Sequence, residues 1–152
     1  RIFKAVATLG FVHPTLVQAA CIPTALEGRD IMAKAETGSG KTMAFAVPVV
    51  QAILNEKGAS EAPTPGLRAV ILVPTKELCD QVTHEITKLL RFCRDIVSVM
   101  AVSSAVSRTV QIPRLLERPD IIVATPGRLM DHLRKNSIAV DEEVMQLFVI
   151  DE

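Results

Sequence analysis

Five short apolar runs occur along this 152-residue chain, and they constrain its fold more than any other feature. They are DIMAKA (30–35), RAVILV (68–73), IVSVMAV (96–102), DIIVAT (120–125) and QLFVI (146–150). Each is apolar along its whole length, which is typical of strands that are buried on both faces. Helix-like segments separate them, so we predict an α/β fold: a doubly wound, mostly parallel sheet with helices on both faces.

Four helices are predicted between these runs. Three of them are predicted from about Lys41 to Leu54, near 76–93 and over 127–135. The remaining one lies between the third and fourth runs, where Pro113 is expected to kink or interrupt it. The stretch 55–66, rich in small residues, Pro and Gly, is predicted to be a surface loop. In such folds ligands bind at the carboxyl ends of the strands, and the polar motifs described next all follow strands.

Composition narrows the functional classes. The net charge is zero and aromatic residues make up 3% of the chain, which disfavours broad base-stacking platforms but permits a local basic strip. We predict no redox or metal role for the cysteines and histidines, which lack ligand spacing: Cys21, Cys79, Cys93, His13, His84 and His132. No apolar run reaches the roughly 18–20 residues of a membrane helix, so we expect a soluble, intracellular protein without membrane contact.

The stretch AETGSGKT (35–42) has the composition of a phosphate-binding loop between a strand and a helix. Glycines let the backbone approach an anion, and the amide groups, the helix N-terminus and Lys41 would surround the β- and γ-phosphates. The Thr42 hydroxyl is placed to bind Mg²⁺. The predicted nucleotide-binding residues of the loop are Thr37, Gly38, Ser39, Gly40, Lys41 and Thr42. The alternative is a Gly/Ser turn that only caps a helix.

Two acids follow the last apolar run, in FVIDE. On a strand beside the phosphate loop, Asp151 would hold Mg²⁺ and Glu152 would orient or deprotonate the attacking water. With Lys41 they form the predicted catalytic set. The alternative is a solvated acidic terminus.

Five motifs occur in a fixed order: GFVHPTLVQ (10–18), AETGSGKT (35–42), PTKEL (74–78), TPGR (125–128) and VIDE (149–152). Together they resemble the Q motif and motifs I, Ia, Ib and II of DEAD-box RNA helicases. The resemblance spans essentially the whole chain. It implies that residues 1–152 form the N-terminal RecA-like ATP-binding domain, cut after the second letter of D-E-A-D, with the second RecA-like domain absent.

The resemblance assigns roles to the first motif. Gln18 would read adenine, because one amide can donate to N7 and accept from the exocyclic amine, and the site would therefore select ATP. Phe11, Pro14 and Thr15 would shape and anchor the Gln18 loop. Thr15 can also be the N-cap of a helix, and the two roles are compatible.

The resemblance also implies RNA contacts through the sugar-phosphate backbone, without reading of base sequence. The implied residues are Pro74, Thr75, Lys76, Thr125, Pro126, Gly127 and Arg128. Taken singly, both motifs are also explained by turn and cap chemistry without a ligand.

Two positions depart from the family pattern. Lys76 replaces the usual Arg, keeping the charge but not the bidentate geometry. VSSAVS (102–107) replaces a Gly-Gly pair, and Ser103 and Ser104 are candidate phosphate contacts in its place. These features are similar to a nucleolar branch linked to large ribosomal subunit assembly, which implies a nuclear or nucleolar location.

The leading hypothesis is therefore an ATP-dependent RNA helicase that uses ATP and Mg²⁺. Its expected partners are RNA, the second RecA-like domain of the same chain and protein cofactors, and we expect a monomer. One alternative is a phosphate-loop NTPase of another class, although no guanine-reading Asn-Lys-x-Asp or kinase lid is evident. The other is a non-hydrolysing module that binds RNA or a protein partner.

Overall fold

A four-stranded parallel sheet forms the centre of the computed structural model, which describes residues 1–152. Its strands are β1 (Ala69–Leu72), β2 (Val99–Val102), β3 (Ile121–Ala124) and β4 (Leu147–Ile150). They lie in the order β2-β3-β1-β4, and all three neighbouring pairs are parallel. Parallel neighbours need crossover connections, which the intervening helices provide. The predicted fold class is confirmed.

Six α-helices surround the sheet. They are α1 (Ile2–Thr8), α2 (Leu16–Leu26), α3 (Lys41–Ala59), α4 (Lys76–Leu89), α5 (Arg108–Leu116) and α6 (Pro126–Arg134), with a 3₁₀ turn at Leu90–Phe92. The predicted helices near 76–93, around Pro113 and at 127–135 are confirmed, with Pro113 inside α5. None of the helices has the length and apolar character required to cross a membrane.

Alternate residues of the strands face opposite helical layers. Ala69 and Ile71 of β1 lie in a core of 18 buried residues that includes side chains of α3 and α4. Val70 faces the other way, into a smaller core with Leu115 of α5 and Leu129 of α6. Both faces of β1 are therefore covered, as the uninterrupted apolar run predicted.

Helix α3 continues further than predicted, so the assignment of a loop to 55–66 is wrong for its first five residues. The cause is a buried ion-pair network. Arg68, fully buried, binds both carboxylate oxygens of Glu56 at 2.7 and 3.0 Å and Asp120 Oδ1 at 3.0 Å. Lys57 Nζ lies 2.6 Å from the same Asp120 oxygen. These contacts fix the last turns of α3 despite the helix cost of Gly58.

The predicted strand at 30–35 is also wrong. The segment has no backbone–backbone hydrogen bond and runs along a groove of about 420 Å³, with β4 on the opposite side. Strand β4 itself pairs only with β1, so its other edge is unpaired. A strand requires a hydrogen-bonded neighbour, and the groove separates this segment from the nearest one. Apolar side chains line the groove, among them Ile31, Phe45 and Val149.

Candidate nucleotide-binding site and nucleic-acid interface

The loop between residue 35 and α3 is shaped by two glycines. Gly38 and Gly40 have φ angles of 81° and 92°, in the left-handed region that other residues avoid. A Cβ atom on Gly40 would lie 2.5 Å from Gln18 Nε2, so a larger residue would also collide with that side chain. No side chain caps the N-terminus of α3, and its first amide groups are available to an anion.

Lys41 and Ser39 present polar groups to this loop. Lys41 Nζ donates to the carbonyl oxygens of Ala35, at 2.6 Å, and Glu36, at 3.2 Å, so the cation lies over the loop. The Ser39 hydroxyl is buried and has no hydrogen-bond partner. Buried hydroxyls are normally paired, and an anion in the loop would supply the partner that Ser39 lacks. Both groups are therefore of the kind that a bound phosphate would use.

Gln18 is bound directly to the phosphate loop. Its Nε2 donates to the Gly40 carbonyl at 3.1 Å, and its Oε1 accepts from the Thr15 backbone N–H at 3.1 Å. Thr15 Oγ1 in turn accepts from the Gln18 N–H at 3.5 Å, which completes a capping box at the start of α2. The predicted N-cap role of Thr15 is confirmed. One N–H and one oxygen lone pair of the Gln18 amide remain free for a base.

The bond between Gln18 and Gly40 was not predicted. The Thr-x-x-Gln spacing signals the capping box, but a contact across 22 residues is invisible to local spacing. Phe11 and Pro14 line a shallow pocket of about 250 Å³ next to Gln18, together with Met43 of α3. The structure therefore brings the first and second motifs together at one place.

The two acids at the end of the chain lie on the same side as the loop. The Asp151 N–H donates to the Leu72 carbonyl at 2.9 Å, which continues the β4–β1 ladder and fixes the position of Asp151. Burial raises the pKa of Asp151, the charge of Glu152 raises it further, and the Lys41 cation opposes both. Lys41 and Asp151 both line the groove beside β4. Glu152 is exposed to solvent.

A magnesium site fits this donor set only in combination with phosphate. Nowhere does the chain gather three or more His, Cys, Asp or Glu side chains that could hold a metal alone. Mg²⁺ is usually held by one or two carboxylates, a hydroxyl and substrate phosphates. Asp151 and Thr42 offer that carboxylate and hydroxyl, and both are half-buried near the loop.

The PTKEL and TPGR motifs lie side by side. They follow β1 and β3, which pair in register with Leu72 opposite Ala124. Thr75 and Thr125 are the N-caps of α4 and α6. Thr75 Oγ1 accepts from the Leu78 N–H at 3.2 Å, whereas the Thr125 hydroxyl makes no cap bond.

Most of the predicted RNA-binding residues are accessible. Thr125 and Arg128 are half-buried, and the exposed ones are Pro74, Thr75, Lys76, Pro126 and Gly127. The structure thus places the two motifs next to each other at the carboxyl ends of β1 and β3. It also shows that cap chemistry uses Thr75, as the alternative interpretation proposed.

Ser103 is wrong as a phosphate contact. Its side chain is only 1% exposed, and its hydroxyl accepts from the Ala105 N–H at 3.2 Å. The strand β2 ends one residue earlier and the chain turns there, which directs Ser103 inward. Ser104 is exposed and stays a candidate.

Comparison with known proteins agrees with the motifs. Residues 15–152 match the model of the DEAD/DEAH box helicase family. The chain is 41% identical over its full length to a probable ATP-dependent RNA helicase ddx56 of Dictyostelium discoideum, of which it covers 22%. It is 46% identical to the ATP-dependent RNA helicase DBP9 of Meyerozyma guilliermondii, again over its full length, and covers 25% of that protein.

A solved structure is also similar. The chain matches the crystal structure of a hypothetical ATP-dependent RNA helicase from Sulfolobus tokodaii with a TM-score of 0.81 and 33% identity. The match covers 99% of this chain and 40% of that one. The chain therefore spans about a quarter of the length of these two curated relatives and less than half of the solved structure.

Proposed function

Because this chain belongs to the DEAD/DEAH box helicase family, we propose that it is the nucleotide-binding unit of an ATP-dependent RNA helicase. The observation that carries the proposal is the 3.1 Å hydrogen bond from Gln18 to the Gly40 carbonyl. It joins the amide suited to adenine to the loop suited to phosphates. Asp151 and Lys41 line one side of the same region.

In this proposal each group has a separate task. The amide groups at the start of α3 and Lys41 hold the β- and γ-phosphates, and Gln18 uses its free N–H and lone pair to read adenine. Glu152, exposed beside Asp151, orients the attacking water. Mg²⁺, held by Thr42 and Asp151, would supply positive charge to the phosphate oxygens. Lys41 moves from the loop carbonyls to the phosphates when nucleotide binds.

The RNA surface is proposed to be the neighbouring edge formed by PTKEL and TPGR. Amide groups at the N-termini of α4 and α6, with Lys76 and Arg128, contact the sugar-phosphate backbone. The zero net charge of the chain is compatible with such a local surface, because only a few phosphates need to be neutralised. Sequence specificity does not follow from contacts of this kind.

We also propose that a longer polypeptide supplies the rest of the motor, including a second RecA-like domain. The 22–25% coverage of the two relatives supports this. So does the groove between segment 30–35 and β4, where unpaired backbone groups on both sides suit one further strand. Protein cofactors and a nucleolar role in large ribosomal subunit assembly are finer proposals. They rest on the VPTKEL and VSSAVS stretches and on likeness to proteins named DBP9 and ddx56.

The test separates the two surfaces. Lys41→Ala is expected to weaken binding of a fluorescent ADP analogue with Mg²⁺ by at least about tenfold, since a charge-assisted contact is lost. It should leave affinity for a short single-stranded RNA unchanged. Arg128→Ala should do the reverse, weakening RNA binding roughly three- to tenfold at low salt.

Arg94→Ala is the matched control, because Arg94 is an exposed arginine near the opposite end of α4 from Thr75. It should change neither affinity. Equal loss of RNA binding in the Arg94 and Arg128 variants would contradict the proposed RNA surface. Unchanged nucleotide binding in the Lys41 variant would contradict the phosphate site.

A further inference from the structure

A chain of buried polar groups crosses the smaller core beneath the proposed RNA surface. Gln111 Nε2 donates to the Ser103 carbonyl at 2.8 Å, and Gln111 Oε1 lies 2.9 Å from His132 Nε2. Ser103 and Gln111 are each 1% exposed, and His132 is fully buried. Three polar side chains in an otherwise apolar core are costly to desolvate, so their arrangement calls for a function.

The partners fix the state of the histidine. The Ser103 carbonyl can only accept, so the Gln111 amide nitrogen faces it and the amide oxygen faces His132. His132 Nε2 must then carry the proton, and Nδ1 is the buried atom without a partner. Burial lowers the pKa of His132, and the nearby cations of Arg128 and Arg108 lower it further. The ring is therefore neutral, and its Nε2–H donates to Gln111 Oε1.

This chain connects segments that are distant in sequence but adjacent at the surface. Ser103 opens the loop between β2 and α5. His132 lies in the last turn of α6, the helix whose N-terminus carries Thr125 and Arg128. The start of loop 103–107, helix α5 and the last turn of α6 thus meet at one buried cluster.

We infer that the Ser103–Gln111–His132 chain is a tether that holds the loop 103–107 and helix α6 in the relative position that RNA binding requires. Gln111 and His132 are positioning residues, since neither is accessible to RNA. The inference rests on the proposed function, because it concerns the RNA surface defined there. The tether therefore positions the serine-containing loop from its buried side.

The test uses His132→Leu, His132→Gln and Leu115→Ala. His132→Leu removes the donor to Gln111 and is expected to weaken binding of a short single-stranded RNA at low salt by about fivefold, the effect of roughly one hydrogen bond. Binding of the ADP analogue should stay within about twofold of the wild type. His132→Gln, whose amide can donate to Gln111, should recover most of the RNA affinity.

Leu115→Ala is the stability-matched control, because Leu115 lies in the same core on α5 without joining the tether. It should lower the thermal midpoint while leaving RNA affinity intact. Hydrogen exchange of the 104–107 amides should accelerate in His132→Leu and not in Leu115→Ala.

Three results would overturn the tether: unchanged RNA affinity in His132→Leu, an equal loss in Leu115→Ala, or an equal loss of nucleotide affinity in His132→Leu. RNA binding that is absent already in the wild type would overturn the proposed function, and the tether with it. Failure of the tether alone would leave wild-type RNA binding intact.

Discussion

Gly40 shows how one residue can serve both backbone geometry and a neighbouring side chain. Its φ of 92° is strained for other residues, and its carbonyl accepts the Gln18 bond. The Gln18 side chain fills the space that a side chain on residue 40 would need, since a Cβ there would lie 2.5 Å from Gln18 Nε2. The glycine is therefore required on two independent grounds.

We predict that Gly40→Ala lowers the free energy of unfolding by about 1–3 kcal/mol and reduces ADP affinity, because strain and displacement of Gln18 coincide. Gly58→Ala is the matched control: it lies within α3 with open space around it and should stabilise the chain by about 0.5–1 kcal/mol. Urea unfolding and nucleotide titration measure both effects. Similar results for the two variants would contradict the account of this loop.

The ionised Asp151 carboxylate is expected to lower the stability of the fold while it serves the proposed magnesium site. Because its pKa is raised in the folded chain, mainly by burial, the ionised carboxylate destabilises the fold at neutral pH. Asp151→Asn should therefore raise the thermal midpoint at pH 7 while abolishing the Mg²⁺ dependence of nucleotide binding. The gain in stability should shrink as pH falls from the raised pKa towards the ordinary value of 3.8, and it should vanish below 3.8, where the wild-type group is protonated in both states.

Glu61→Gln, at an exposed acid in the loop after α3, should show no such gain. Scanning calorimetry across this pH range measures the difference. A midpoint for Asp151→Asn that equals or falls below the wild type at pH 7 would contradict the stated electrostatics.

At the scale of elements, four of the five apolar runs form the sheet, because each of these four has a hydrogen-bonded neighbouring strand. The apolar runs at 68–73, 96–102, 120–125 and 146–150 predicted β1 to β4, each within three residues at its ends. The run at 30–35 has similar composition but no strand beside it. Apolar composition identifies a segment that is suited to a sheet. Whether the segment forms a strand also depends on a neighbouring strand that can hydrogen-bond to it.

The segment 30–35 should consequently exchange its amide hydrogens fast. Its backbone has no backbone–backbone hydrogen bond, whereas β1 pairs on both edges. We expect exchange of residues 30–35 within seconds and strong protection of 69–72, since protection follows hydrogen bonding and burial. Mass spectrometry after hydrogen–deuterium exchange reads both segments in one experiment. Protection of 30–35 equal to that of β1 would contradict the unpaired assignment.

The candidate site was more predictable than the details that hold it together. Local spacing predicted the Thr15 cap, which the structure confirms, and it indicated the loop 35–42 and the two acids as candidates, because each pattern occupies a few consecutive residues. The bond from Gln18 to Gly40 and the Arg68 network were not predicted, because they join residues far apart in sequence. The inward turn of Ser103 was missed for a similar reason, since its carbonyl accepts from Gln111 on α5.

At the scale of the whole molecule, we propose that a second domain of a longer polypeptide completes the nucleotide site. In phosphoryl transfer, an arginine supplied in trans can stabilise charge on the transferred phosphate, which is worth roughly 10³–10⁵ in rate. We therefore expect the 152-residue chain to release phosphate from ATP at a negligible rate, with or without RNA. A phosphate-release assay with and without single-stranded RNA measures this. Substantial RNA-stimulated turnover by this chain alone would contradict the proposed division of the motor.

The central claim is that Gln18 and the 35–42 loop form one adenine nucleotide site. Competition between ATP and GTP for the wild-type chain, with the fluorescent ADP analogue and Mg²⁺, tests it most directly. The account predicts that ATP displaces the analogue at least about tenfold more effectively than GTP, and that Gln18→Ala removes most of this preference. Equal competition by the two nucleotides in the wild type, or a preference that survives in Gln18→Ala, would contradict it.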